Sequence, residues 1–245
     1  MKSGSAAMRF AAFDIDGTLI RWQLYHAMGD KLAHEGLLGK DAVKTLHHAR
    51  MQWKLRRHPD AFSDYEKLLV DYFNQSLPKL SPRDFDRVVE EVIEEYKEQV
   101  YTYTRGLLRS LKAQGYFLVA ISGSHQELVE AIATHYGFDY AVGTRYERSG
   151  DGFTGQQERV NDDKAGTLRR IAEKFELSFE GSYAVGDTAS DAGMLELVQN
   201  PVAFNPDQKL FSLAKKHGWK IVVERKNVIY ELEPSHGQHL LVQAD

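Results

Sequence analysis

The chain has 245 residues, 42% of them hydrophobic and 27% charged, with a formal net charge of −4 and no cysteine. This is globular composition long enough for one or two domains; the mild negative charge gives no nucleic-acid footprint, and the missing cysteines exclude disulfides and thiolate chemistry and fit a reducing, cytoplasmic compartment. No run reaches the roughly 18 apolar residues of a membrane span, and the Gly/Ser-containing residues 1–7 lack the apolar stretch of a signal peptide, so they read as an added leader ahead of a natural start at Met8.

Residues 8–13 (MRFAAF) form an apolar run that ends on Asp14, the signature of a buried strand followed by a tight turn. Residues 21–103 then carry no strand pattern, only amphipathic helical stretches. One of these opens at Ser81-Pro82, with Ser as N-cap, Pro at the first helical position and Asp84 three residues after the cap. Its acidic face reads as solvated surface. A helix follows over 104–114, a strand over 116–121 (YFLVAI), and a helix over 124–136 with Ser124 and Glu127 as a capping box. Residues 140–155 read as a hairpin projecting from the sheet, turning at Ser149-Gly150-Asp151-Gly152. A helix over 164–175, a strand over 182–185, a helix over 191–198 and short strands over 202–204 and 219–224 complete the chain. The ten histidines, scattered without zinc-type spacing, read as solvated or packing residues.

Strands alternating with helices imply an α/β fold: a Rossmann-like, mostly parallel sheet with helices on both faces. The expected division is a hydrolase-type core over 1–20 and 104–245, with a helical cap over 21–103 and a small β-hairpin. The crossings at 19–21 and 103–106 are the expected hinges of a cap that opens and closes.

In such a sheet, ligands bind beyond the carboxyl ends of the strands, and each polar cluster falls at one. Asp14 and Asp16 follow the first strand, Ser122 and Gly123 the second, Asp187 and Asp191 a later one, and Lys164 opens the helix before it. Taken singly, each has a plainer reading. The D-x-D-G-T string is turn-prone, Ser122 and Asp187-Thr188 suit helix caps, and Lys164 suits an exposed helix residue. Four such coincidences on one sheet are what point to a site. Asp14, Asp16, Asp187 and Asp191 in one small space require a cation, and oxygen-only ligands suit Mg²⁺. Lys164 adds positive charge, Ser122 a hydroxyl, and the Gly17, Thr18 and Gly123 N–H groups can face phosphate oxygens. Asp14, an ionised carboxylate, can attack phosphorus unaided, while Asp16 can protonate the leaving alcohol and then activate water.

These motifs, Asp14-Ile15-Asp16-Gly17-Thr18, Ile121-Ser122-Gly123, Lys164 and Gly186-Asp187-Thr188-Ala189-Ser190-Asp191, resemble the four motifs of the haloacid dehalogenase-like hydrolase superfamily, within its phosphoserine-phosphatase-like branch. The resemblance implies Mg²⁺ held by Asp14, the backbone carbonyl of Asp16, and Asp187, with Asp191 supporting that shell and Ser122 and Lys164 binding the phosphoryl group. The substrate would be a small phosphorylated metabolite. The branch places a Glu nine residues after the nucleophile, where this chain has Gln23, and aligning its cap phenylalanine on Phe62 puts Leu69 where it has an Arg, with Lys67 nearby. Both departures disfavour phosphoserine, which needs an acid for its ammonium and a cation for its carboxylate. Trp22, Tyr25, Trp53 and Arg56-Arg57 read either as cap core or as a platform for a larger ester. A phosphotransferase or phosphomutase on the same scaffold is the nearest alternative. A phospho-aspartate signalling module has similar residues but about half the length, and dehalogenation gives Asp16 no purpose. Nothing in the sequence sets an oligomeric state.

Overall fold

The structure, a computed structural model, describes residues 7–244, so most of the expected leader lies outside the described residues. The chain forms two compact units. One comprises Met1–Trp22, Lys97–Thr144 and Arg159–Asp245, the other Gln23–Tyr96 with Arg145–Glu158.

In chain order, strand β1 (Met8–Phe13) leads into four helices of the second unit, α1 (Leu24–His34), α2 (Ala42–Lys54), α3 (Ala61–Ser76) and α4 (Pro82–Tyr96). The core resumes with α5 (Thr102–Ala113), β2 (Phe117–His125), α6 (Gln126–Tyr136) and β3 (Tyr140–Ser149). After β4 (Gly152–Glu158) come α7 (Lys164–Lys174), β5 (Leu177–Gly186), the short α8 (Ala192–Leu195) and β6 (Asn200–Phe204). The last elements are α9 (Gln208–His217), β7 (Lys220–Arg225), β8 (Val228–Ser235) and β9 (Gln238–Ala244).

The core sheet has the order β3-β2-β1-β5-β6-β7-β8-β9. Pairing is parallel from β3 through β7 and antiparallel across β7-β8-β9. The chain leaves β1 toward β2 and β3 on one side, then returns to lay β5, β6 and β7 on the other. The order therefore reverses at β1, which opens a crevice at the carboxyl end of that strand. Phe10, Ala12, Val119, Ile121, Leu168, Ala184, Met194 and Ile221 belong to one buried apolar cluster that holds the sheet and its helices together. The mostly parallel α/β core is the fold that the alternation of elements predicts.

The helical unit is explained by its own pattern. Ser81 Oγ accepts the Asp84 N–H at 3.0 Å with Pro82 at the first position, so α4 starts where the sequence marks it. Its buried stripe is Phe85, Val88, Val89 and Val92. The second half of β3 pairs antiparallel with β4 across the expected Ser149-to-Gly152 turn, and this hairpin groups with these helices. Tyr146 and Phe153 are buried, with ring centroids 5.1 Å from Phe73 and 5.3 Å from Phe85 respectively. Arg148 adds a two-pronged bond to Asp86 at 2.9 and 2.6 Å. Trp53 lies among Phe62, Tyr65 and His26, and Tyr25 against Phe73, so these aromatics are built into the unit's interior contacts.

Two expectations change. The capping box at Ser124 does not form: β2 runs on through His125, α6 begins at Gln126, and no side chain caps it. The expected helix over 191–198 is a 3₁₀ turn, Ala189–Asp191, followed by the short α8. Among the histidines, His125 is of the packing kind and is fully buried. Burial pushes its pKa down to about 3, since the charged imidazolium has lost its water. Between that value and the unfolded value near 6.5 only the unfolded chain takes the proton, so the His125 contribution to stability is intact above about pH 6.5 and falls as the pH drops below it. The expected slope from this group is up to about 1.4 kcal/mol per pH unit. Denaturant unfolding at pH 7 and pH 5 should show a shallower acid loss in His125→Gln than in the parent; equal slopes would contradict this.

Candidate active site

The β1 strand pairs on both sides, and the Asp14 N–H extends that pairing to the Val185 carbonyl at 2.9 Å. Asp14 is thereby fixed at the crevice, with only 4% of its surface exposed. Its Oδ1 accepts from Lys164 Nζ at 2.7 Å, and the same ammonium donates to Asp191 Oδ1 at 2.6 Å. Asp163 accepts the Gly166 N–H at 2.7 Å as N-cap of α7, which sets Lys164 at the first helical position. A cation there works against the helix dipole, and Lys164 is buried. The two carboxylates compensate for both costs. Burial alone would lower the Lys164 pKa, but Asp14 and Asp191 hold it well above its ordinary value.

Asp191 is held just as firmly. Its Oδ2 accepts the N–H groups of Asp187 at 3.1 Å and Thr188 at 3.0 Å, forming a capping box with Thr188 on the 3₁₀ turn. Gly186 makes room for it, since a Cβ at that position would come 2.4 Å from the Asp191 Cβ. Thr18 Oγ1 stands 3.3 Å from Asp14 Oδ2 and 3.2 Å from Asp187 Oδ1. Asp14, Asp187 and Asp191 thus present oxygens that all lie within 4.8 Å of one another.

Asp16 is placed differently. It is buried, and its Oδ2 accepts the Ser122 hydroxyl at 2.6 Å while Ser122 Oγ accepts the Ser124 N–H at 3.1 Å. The Asp16 carboxylate is therefore outside the three-carboxylate group, and Ser122 is not a helix cap. Gly17 corrects another expectation. Its φ of +77° suits the tight turn, but its N–H is directed to the Ile20 and Trp22 carbonyls at 3.0 and 3.2 Å and not to a ligand. Gly123 is a close-approach glycine: the Asn161 amide lies where a Cβ would sit, 2.0 Å away, and Thr144 Oγ1 donates to the Gly123 carbonyl at 2.8 Å.

Three carboxylates around one ammonium leave an excess of buried negative charge. Burial, with Asp191 and Asp16 adding to it against the pull of Lys164, pushes the Asp14 pKa up to about 7. Burial and the Asp14 and Asp191 charges likewise hold Asp187 well above the ordinary carboxylate range. An all-oxygen donor set with surplus negative charge fits a hard divalent cation such as Mg²⁺.

Asp163 is not among the residues the motifs mark, although an Asp directly before a helical period is an N-cap signal. Asn161 has no local signal in the sequence.

The chain matches the family model described as haloacid dehalogenase-like hydrolase over residues 11–196. It is similar to a histidinol-phosphatase of Neisseria meningitidis serogroup C, at 28% identity over 86% of this chain and 97% of that one. It is also similar, at 30% identity over 84% of this chain, to a phosphoserine phosphatase of Archaeoglobus fulgidus, of which it spans 55%. Among solved structures, it shares its fold with a phospho-aspartyl intermediate analogue of phosphoserine phosphatase, with a TM-score of 0.60 and 20% identity over 90% of this chain and 95% of that one. No helix among the described residues is long and apolar enough to cross a membrane. The chain belongs to the haloacid dehalogenase-like hydrolase family, in its phosphoserine-phosphatase-like branch, and is a phosphatase of that family.

Proposed function

We propose that the protein hydrolyses a small organic phosphomonoester, with Mg²⁺, through a phosphoryl group carried on Asp14. The observation that carries this reading is the Asp14 carboxylate itself, buried at the switch point of the sheet with one oxygen fixed 2.7 Å from Lys164 Nζ. An Asp14 oxygen forms a bond to phosphorus as the ester P–O bond breaks, and Asp16 gives a proton to the departing alkoxide. Asp16 then takes a proton from water as the water oxygen bonds phosphorus, releasing inorganic phosphate and the free Asp14 carboxylate. Ser122 orients Asp16 throughout. Lys164 neutralises charge beside the nucleophile, and Asp191 holds Lys164 in place. In this reading Asp14, Asp187 and the Asp16 main chain, supported by Asp191, would hold Mg²⁺, which would supply neutralisation of charge on the carboxylates and phosphoryl oxygens.

The names of two relatives, a histidinol-phosphatase and a phosphoserine phosphatase, support small organic phosphomonoesters as the substrate class. Phosphoserine is the disfavoured member. Leu69 is fully buried and packs on Gly29, where a Cβ would meet its Cδ1 at 2.3 Å, so this position offers nothing to a substrate carboxylate. The test is phosphate release from a panel of phosphorylated metabolites, with chelator and with Mg²⁺ restored. Activity should vanish and return with the ion, and phosphoserine should be among the poorer substrates. Full activity in chelator would contradict the cation requirement, and phosphoserine leading the panel would contradict the substrate reading.

A further inference from the structure

Thr18 stands between the two carboxylates on which the site depends, 3.3 Å from Asp14 Oδ2 and 3.2 Å from Asp187 Oδ1. One hydroxyl has one proton and can serve only one of them at a time. Both contacts are near the long limit for O–H···O bonds, so a small shift of the Thr18 backbone is enough to lose either one. Local bonds fix part of that position, because the Leu19 and Ile20 N–H groups both return to the Ile15 carbonyl at 2.9 Å. The Thr18 carbonyl is held from elsewhere. It accepts the hydroxyl of Thr104, 86 residues along the chain, at 2.9 Å, and both residues are buried.

Thr104 is the third residue of α5, and its hydroxyl is not needed to cap that helix. The first N–H groups of α5 are taken by the two carboxylate oxygens of Glu224, near the end of β7: Thr102 N–H at 3.0 Å and Tyr103 N–H at 2.9 Å. The rings of Tyr101 and Tyr103 pack on Phe204, at 4.9 and 5.9 Å between centroids. A carboxylate clamp and two aromatic contacts therefore anchor the start of α5 to the sheet, and the Thr104 side chain projects from that anchored turn onto the loop after β1.

We propose that Thr104 is a positioning residue for the phosphatase reaction, fixing the Thr18 carbonyl and, through Thr18, the Asp14 and Asp187 carboxylates. The inference rests on the reading of Asp14 as nucleophile. Two substitutions divide the side chain into its parts: Thr104→Val keeps the shape and removes the hydroxyl, while Thr104→Ser keeps the hydroxyl and removes the methyl. With an aryl phosphate and Mg²⁺, Thr104→Val is expected to lower kcat about ten- to a hundred-fold with KM within about two-fold of the parent, the pattern of misalignment in the transition state. Thr104→Ser should stay within a few-fold of the parental kcat. Parental kcat in Thr104→Val overturns the proposal, as does a Thr104→Ser no better than Thr104→Val, because a packing role would make the lost methyl the harmful change. Should Thr104→Val not fold, Glu224→Ala loosens the same helix start from the surface; a fall in kcat at steady KM supports the proposal, and an unchanged kcat overturns it. Turnover by the unsubstituted protein with no phosphoryl group ever trapped on Asp14 would instead contradict the nucleophile reading, so the two failures are distinguishable.

Discussion

Asp14→Asn should reduce Mg²⁺-dependent hydrolysis of an aryl phosphate by at least about three orders of magnitude, because the carboxamide cannot serve as the attacking oxygen. The change is nearly isosteric and removes one of the mutually repelling carboxylates. It retains an oxygen that can accept from Lys164, which now bonds Asp14 Oδ1 at 2.7 Å. The fold should therefore persist: the unfolding midpoint is expected to match or exceed that of the parent while turnover disappears. Retained turnover would remove Asp14 from the mechanism. Loss of turnover accompanied by unfolding would contradict the account of the site's electrostatics.

Lys164→Met should do the reverse and damage the fold as much as the chemistry. Lys164 is buried and bonded to both Asp14 and Asp191, so its removal leaves two buried carboxylates without their cation, a loss of about 3–5 kcal/mol for a broken buried pair. The direction with pH follows from the group left behind. Asp14 already titrates at about 7, and without Lys164 it rises further, so at pH 6 it is mostly protonated and the repulsion is relieved. The destabilisation should thus be smaller at pH 6 and grow as the pH rises through 7 and 8. Millimolar Mg²⁺ should return part of it, because a ligand that binds only the folded state stabilises that state. Denaturant unfolding of parent and variant at pH 6 and pH 8, with and without Mg²⁺, measures all three effects. A destabilisation that shrinks with rising pH would contradict the assignment.

Much of the site is legible in the sequence for a physical reason. Asp14, Ser122 and Asp187 each sit where an apolar run stops and Lys164 where a helical period begins, and a parallel sheet collects those ends into one crevice. What is not legible is the division of labour. The sequence gathers four carboxylates around the cation, whereas Ser122 draws the Asp16 side chain apart from the other three. Lys164 read alone suits a solvated helix start, and only the fold reveals that it is enclosed by two partners 27 and 150 residues away. The Thr104 to Thr18 bond leaves no local trace for the same reason.

The turn of the β8-β9 extension has a local signal in the sequence. His236 and Gly237 both take positive φ, as a tight hairpin turn between β8 and β9 requires, and His-Gly between two apolar stretches signals one. The period-2 pattern over β8 is weakened by Pro234, which belongs at edges and strand ends and obscures it. The Ser124 capping box fails for a complementary reason. The spacing to Glu127 is right, but the Ser124 N–H is taken by the Ser122 hydroxyl and β2 is extended through His125 by its pairing to Thr144. Tertiary pairing overrides the local signal there.

The central claim is that the phosphoryl group passes through Asp14. Enzyme quenched during turnover and treated with borohydride would have any acyl phosphate reduced to an alcohol, turning the aspartate that carried it into homoserine. Cleavage after Arg9 and Arg21 isolates Asp14 and Asp16 in one peptide, residues 10–21, whose fragmentation separates the two positions. The prediction is homoserine at position 14, dependent on substrate and absent from Asp14→Asn. Homoserine at position 16, or an unmodified peptide from enzyme caught in active turnover, would contradict it.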